Sequence, residues 1–206
     1  MATKKVLLVG SSSIQRRRIL EAAFGDRFDI ICRSPDIDEK AIRHADPEIM
    51  TKAIARGKME RILAMINEDP QLKDSVDFAV TSDQVALYKG EVREKPDTEE
   101  EAFQYLSDYS DSTVSTVSGI VVADVRRSLQ AEGTWWTSTA FSTISDEVKR
   151  RVIARKYVMS CAGGFVVEDE ELASLRSFVQ GTQEEVQGMS VSVFAKLLAE
   201  LEGVVA

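Results

Sequence analysis

Val6-Leu7-Leu8-Val9-Gly10-Ser11-Ser12-Ser13-Ile14-Gln15-Arg16-Arg17-Arg18-Ile19-Leu20 decides how the rest of the chain is read. The apolar run Val6–Val9 reads as a short buried strand. Gly10 and three serines follow, with no side chain larger than a hydroxymethyl. Ile19, Leu20, Ala23 and Phe24 then recur three to four residues apart, the spacing of a helix face. Ser12 or Ser13 suits the N-cap. Arg16, Arg17 and Arg18 fall in the first turn, beside the positive end of the helix dipole, where each cation costs about 0.3–1 kcal/mol. A bound anion would offset that cost. Free backbone N–H groups, serine hydroxyls and guanidinium forks together suit a phosphate. A solvated basic turn is the other reading.

Working outward, strands and helices mix along the chain without strict alternation, which predicts a mixed sheet. Phe28–Cys32 reads as a second strand, running into Arg33-Ser34-Pro35-Asp36-Ile37-Asp38-Glu39-Lys40, a turn dense in carboxylates. Asp46-Pro47-Glu48 starts a helix, with Asp at the N-cap and Pro at the first position. Lys58 lies four residues from both Ile54 and Ile62, on the apolar side of that helix. It either snorkels at the edge of the core or delivers an ammonium into a cleft. Phe78–Val80 and Val85–Tyr88 read as two strands separated by Thr81-Ser82-Asp83-Gln84. Asp83 then lies between buried segments, where an unpartnered carboxylate is expensive. It could cap a turn, ligate a metal or act as a base. Lys89-Gly90 predicts a hairpin turn, with a return strand ending at Glu94-Lys95-Pro96. Thr98-Glu99-Glu100-Glu101 is a capping-box signature. Ser110–Thr116 reads as a polar link, and Val117–Val125 with Thr134–Ile144 as neighbouring strands. Ser145 caps a further helix. Cys161–Phe165 reads as a glycine turn, Asp169-Glu170-Glu171 as a solvated acidic loop. A last helix carries Val193 to Leu201, with Gly203 at its C-terminal cap.

The 206 residues suggest one large domain or two small lobes, and 44% hydrophobic content supports a real core. A net charge of −8 argues against a nucleic-acid partner, though not against a single nucleotide. No apolar run has the length of a membrane span, so no membrane partner is expected. The N-terminus lacks the pattern of a signal peptide. Cys32 and Cys161 are the only cysteines, so neither a disulfide framework nor a cysteine zinc site is expected, and a cytoplasmic setting follows as the default. His44, the single histidine, removes multi-histidine metal sites and leaves the chemistry to carboxylates, lysines and arginines.

In order and spacing, these blocks resemble the Maf family of nucleotide pyrophosphatases, similar in fold to the inosine triphosphate pyrophosphatases. The resemblance runs from Val6 to about Leu201, within a single domain spanning 1–206. It rests on Ser11-Ser12-Ser13-Ile14-Gln15-Arg16-Arg17-Arg18-Ile19-Leu20, Glu39, Arg56-Gly57-Lys58, Asp83, Glu94-Lys95-Pro96 and Ala162-Gly163. Asp83-Gln84, Cys161-Ala162-Gly163 and Glu168 look like the branch that prefers 7-methyl-GTP over dTTP and UTP. Ile14 stands where the family usually has Pro, Gln15 where one branch has Arg, Glu94 where Gly is usual, and Gly188-Met189-Ser190 where Gly-Leu-Pro is common.

The resemblance implies a mixed twisted sheet flanked by helices, two lobes with a cleft between them, and a homodimer. It implies hydrolysis of a nucleoside triphosphate to monophosphate and pyrophosphate. Glu39 and Asp83 are then the expected ligands of Mg²⁺, Asp83 the base or metal ligand, and Lys95 a further catalytic group. Ser11, Ser12, Ser13, Arg16 and Lys58 would hold phosphate, with the base near Gln15, Gln84 and Glu168. A pyrophosphatase preferring dTTP or UTP and a nucleotide-binding regulator of division without turnover are the alternatives. Asp36-Ile37-Asp38 also resembles a haloacid-dehalogenase phosphatase motif, but Arg33-Ser34-Pro35 separates it from the apolar run and Lys40 fills the Thr/Val place.

Overall fold

The run Lys5–Gly10 forms strand β1, and its neighbouring residues face different cores. Leu7 and Val9 pack in one cluster, Leu8 in another. A strand covered on both faces needs an unbroken apolar run, and β1 has one. This computed structural model describes residues 4–203. The first and last three residues of the expected 1–206 domain lie outside the described residues.

After β1 come α1 (Ile14–Phe24), β2 (Phe28–Arg33), α2 (Pro47–Glu68), α3 (Pro70–Ser75), β3 (Val76–Tyr88) and β4 (Glu91–Arg93). Then follow α4 (Glu99–Tyr109), β5 (Thr113–Asp124), β6 (Leu129–Phe141) and α5 (Asp146–Ala154). The chain closes with α6 (Glu170–Leu175), β7 (Arg176–Gln180), α7 (Gln183–Val186) and α8 (Val191–Glu202). The sheet runs β2-β1-β3-β5-β6-β7, with β4 on β3. β1 pairs in parallel with β2 and β3, while β3–β4 and β6–β7 are antiparallel. The mixed sheet expected from the sequence is present.

The described residues divide into two compact units. One holds residues up to Asp83, 118–135 and from Gly188 onward; the other holds 84–117 and 136–187. In the first, α1 and α8 pack Ile19, Leu20, Phe194 and Leu198 against Leu7, Val9, Phe78 and Val80. The opposite face is covered by α2, through Ala55, Met59, Ile62 and Ile66. The second unit has its own core, built from Ala86, Tyr88, Leu106, Tyr109, Phe141, Ile153 and Phe165.

Several boundaries differ from expectation. β3 is one strand, not two. Its polar centre stays in the strand because the side chains find partners: Thr81 Oγ1 donates to Ala55 O at 2.7 Å, and Asp83 meets Lys58. Lys89 and Gly90 both have positive φ, as a two-residue hairpin turn requires, but β4 stops at Arg93. The serine-rich link is already strand by Thr113, stitched across to β6 by Thr116–Thr137 hydroxyls at 2.7 Å. Asp169-Glu170-Glu171 is not a solvated loop. Asp169 caps α6 and pairs with Arg155, and Glu171 meets Arg151 at 2.6 Å and Arg155 at 2.8 Å. At α4, Thr98 accepts from Glu101 N, but the Glu101 carboxylate reaches Asp97 N, so the box closes one residue early.

Candidate active site

Ser13 is the cap of α1, accepting from Arg16 N. The Ser11 hydroxyl accepts from Ser13 N at 3.1 Å, which folds the serine turn on itself. The three arginines do not act together. Arg17 is exposed and pairs with Glu21 one turn on, at 2.7 Å, and Arg18 is exposed. Arg16 alone turns inward. Its Nε donates to Gly188 O and its Nη1 to Ser82 O, both at 3.0 Å, with Ser11 Oγ at 3.5 Å. Burial pushes the Arg16 pKa down from its ordinary value, against the pull of Asp83 and Glu39. Those opposing pulls place the guanidinium within the field of both carboxylates.

Lys58 is the centre of the constellation. It projects from α2 at 6% exposure, so it does not snorkel. Its ammonium lies 2.8 Å from Asp83 Oδ1 and 3.1 Å from Glu39 Oε1. Asp83, on β3, is likewise 6% exposed. Glu39 opens a one-turn 3-10 segment, Glu39–Ala41, capped by Asp38. A Cβ on Gly57 would stand 3.2 Å from Ile42 and 3.4 Å from Ile37, so the missing side chain beside Lys58 lets the acidic turn lie close to α2. Arg56, in the same Arg-x-Lys block, is bound elsewhere: it forks onto Glu132 at 2.6 and 2.5 Å. Asp38 serves as a cap five residues beyond Arg33, the last residue of β2, which leaves the haloacid-dehalogenase reading without its strand-end aspartate.

Gln84, Lys95 and Glu168 belong to the second unit. Gln84 Nε2 donates to Thr116 Oγ1 at 3.2 Å and to Glu185 O at 3.0 Å. Lys95 is exposed, on the segment after β4. Burial pushes the Cys161 thiol up, Glu168 adds to the rise and Lys95 opposes it, so the three groups share one neighbourhood. Gln15 is half-buried in the first turn of α1, and Ser12 is exposed.

Sequence reasoning missed Ser82 and Gly188, because their contribution is a backbone carbonyl. Only Gly188 left a signal. Its φ of +97° is a region other residues avoid, and a Cβ there would meet Arg16 Nε at 2.9 Å.

The profile of the Maf-like protein family matches residues 6–201. The chain belongs to the Maf family. A relative from Dictyostelium discoideum, a 7-methyl-GTP pyrophosphatase, is 36% identical over 199 residues, 97% of this chain and 98% of its own. A dTTP/UTP pyrophosphatase of Chlamydia trachomatis serovar L2 is 29% identical over 195 residues, 94% and 93% of the two chains. Among solved structures, a nucleoside-triphosphatase (dITP/XTP pyrophosphatase) from Mycobacterium abscessus matches at TM-score 0.40 and 10% identity, covering 95% of this chain and 96% of that one.

In this Maf protein, the Glu39 and Asp83 carboxylates converge on one position of positive charge, which the Lys58 ammonium occupies. No cluster of three or more His, Cys, Asp or Glu side chains forms among the described residues. Mg²⁺ asks for no more than one or two carboxylates when phosphate oxygens and water complete its shell. The donor set therefore fits that ion. No helix among the described residues is long and apolar enough to cross a membrane.

Proposed function

We propose that this Maf protein hydrolyses nucleoside triphosphates at the α-phosphorus, releasing a monophosphate and pyrophosphate. One observation carries the reading: a buried ammonium held between two carboxylates, with a partly buried guanidinium in their field. The Lys58–Asp83 pair at the centre of this cluster is buried, and each such ion costs several kcal/mol before pairing. Its persistence beside a serine turn and a helix N-terminus suits a polyanionic substrate.

Phosphoryl-type displacement asks the protein mainly for position and charge. Arg16, Lys58 and Lys95 hold phosphate oxygens, and Ser11, Ser12 and Ser13 with their backbone N–H groups cradle them. Asp83 orients the attacking water and accepts its proton. Glu39 holds Lys58 in place. A Mg²⁺ ion bound by Glu39 and Asp83 would neutralise charge on the phosphates. The same reading includes a cytoplasmic homodimer.

For the base, Gln84, Gln15 and Glu168 are proposed to favour 7-methyl-GTP. A carboxylate accepts from the guanine N1–H and amine, and it complements a cationic ring. The relative at 36% identity is named for that substrate. The name of the 29% relative favours dTTP or UTP as the second reading.

A nucleotide panel with Mg²⁺, scored for both phosphate products, tests all of this. Pyrophosphate release supports the reaction. Orthophosphate alone, or binding without turnover, overturns it. A higher kcat/KM for UTP or dTTP than for 7-methyl-GTP overturns the base assignment only.

A further inference from the structure

Arg93 ends β4 at 8% exposure and takes no part in the chemistry above. Its guanidinium carbon lies 4.6 Å from the Tyr88 ring, 4.5 Å from Tyr105 and 5.3 Å from Tyr109. Nη2 donates to Asp108 Oδ2 at 2.5 Å. Nη1 is buried with no hydrogen-bond partner. An orphaned donor on a buried cation is a stability cost. Three aromatic faces and a carboxylate nevertheless hold the guanidinium plane in one orientation. The arrangement suits fixed geometry better than stability.

Lys95 lies two residues on from Arg93. Glu94 O accepts from Gly163 N at 2.9 Å. Gly163 O in turn accepts from the Tyr109 hydroxyl at 2.8 Å, and that ring also faces Arg93. Burial pushes the Tyr109 phenol up from its ordinary value. Gly163 has φ +73°, and a Cβ there would stand 2.4 Å from Ala86 Cβ. A Cβ on Gly164 would stand 3.2 Å from Tyr105 and 3.4 Å from Pro96, so the turn packs against both ends of the Lys95 segment. Lys95 itself is exposed and long. Its ammonium is delivered accurately only if its backbone is pinned.

We propose that Arg93 is the positioning residue for Lys95, clamping the Glu94–Pro96 segment against the Gly163 turn through the Tyr88–Tyr105–Tyr109 box. The proposal rests on the phosphate-holding role of Lys95 given above.

A double-mutant cycle between Arg93 and Lys95 tests it. R93M keeps length and packs among the rings without charge. It is expected to lower kcat/KM for the preferred triphosphate about tenfold. In a K95A background the same substitution is expected to change kcat/KM by less than about twofold. Equal losses in both backgrounds, or full activity in R93M, overturn the proposal while leaving Lys95 in its role. Full activity in K95A overturns the role of Lys95 and the positioning with it. R93K, which keeps the charge but loses the stacked plane, replaces R93M if that variant does not melt cooperatively.

A second readout does not depend on turnover. With Cys32→Ser, Cys161 is the only thiol; burial chiefly raises its pKa and Lys95 lowers it, so its alkylation rate against pH is read relative to K95A. R93M is expected to move that profile up in pH, towards the K95A profile. A profile unchanged by R93M, where K95A shifts it, overturns the proposal.

Discussion

At the scale of single residues, a buried carboxylate and a buried ammonium 2.8 Å apart tolerate no one-sided change. Removing one partner leaves the other desolvated and uncompensated. Asp83→Asn keeps the volume and a hydrogen-bond acceptor for Lys58, and Lys58 retains Glu39. The charge that takes a proton is lost. Turnover should fall at least about 10²-fold, the lower end for a general base, and the melting temperature should drop, because the Lys58 ammonium keeps only the more exposed Glu39 as a charged partner. Near-normal turnover in a folded Asp83→Asn protein would sink the assignment. Glu168→Gln removes a negative charge and adds a donor that a pyrimidine carbonyl can use. Such a contact is worth roughly 1–3 kcal/mol, so the ratio of 7-methyl-GTP to UTP in kcat/KM should drop about 5- to 150-fold. Unchanged ratios would separate Glu168 from base choice.

Elements hold the site through a few close backbone approaches. α1 is capped by Ser13, and Arg16 in its first turn is seated on the carbonyls of Ser82 and Gly188. Gly188→Ala forces φ +97° on a residue with a Cβ and drives that Cβ to 2.9 Å from Arg16 Nε. The left-handed strain alone costs about 1–2 kcal/mol. The guanidinium must also shift, so KM for a triphosphate should rise by a larger factor than the inhibition constant of a monophosphate product analogue. Equal effects on both would make the seat purely structural. α2 is held as tightly on another side. A Cβ at Gly119 of β5 would meet Lys52 N at 2.5 Å and Thr51 C at 2.6 Å, both backbone atoms. Gly119→Ala should therefore cost about 1–3 kcal/mol of stability by displacing the helix that carries Lys58. Chemical denaturation measures it, and an unchanged midpoint would contradict the contact.

At the scale of the molecule, carboxylates tied to cations set the acid limit of stability. The Arg56 hydrogen bond draws the Glu132 carboxyl below its ordinary 4.5, more than burial raises it, with Lys52 assisting. Burial raises Glu202 as well, but Arg27 and Lys5 overcome it and leave its pKa lowered. A carboxylate with a depressed folded pKa contributes stability that is complete above its unfolded value. That stability is lost as pH falls through the folded value. The urea midpoint should therefore be flat from neutral pH to about 5 and fall below about 4.5. Glu132→Gln should flatten that fall. A midpoint rising on acidification would refute the sign.

Strand, helix and cap assignments were legible in the sequence where local chemistry decides them. The β1 run, the Asp46-Pro47 start of α2, the Ser145 cap and Gly203 are set by patterns within a few residues. The family was legible for the same reason, since its short blocks keep their order and spacing. What stayed hidden depends on partners distant in sequence. Thr81-Ser82-Asp83 looked like a break because a lone polar run in a buried strand is costly, and only α2 and the 188 turn supply its partners. Lys58 was ambiguous until Glu39 and Asp83, 19 residues before it and 25 after, were seen to meet it. Arg17 and Arg18 carry the same charge as Arg16, but helix geometry sends one side chain in three towards Ser82 and Gly188. The sequence by itself determined which elements form and which family they compose. Tertiary structure alone decided which charges are buried together, because desolvation and pairing are properties of where side chains meet.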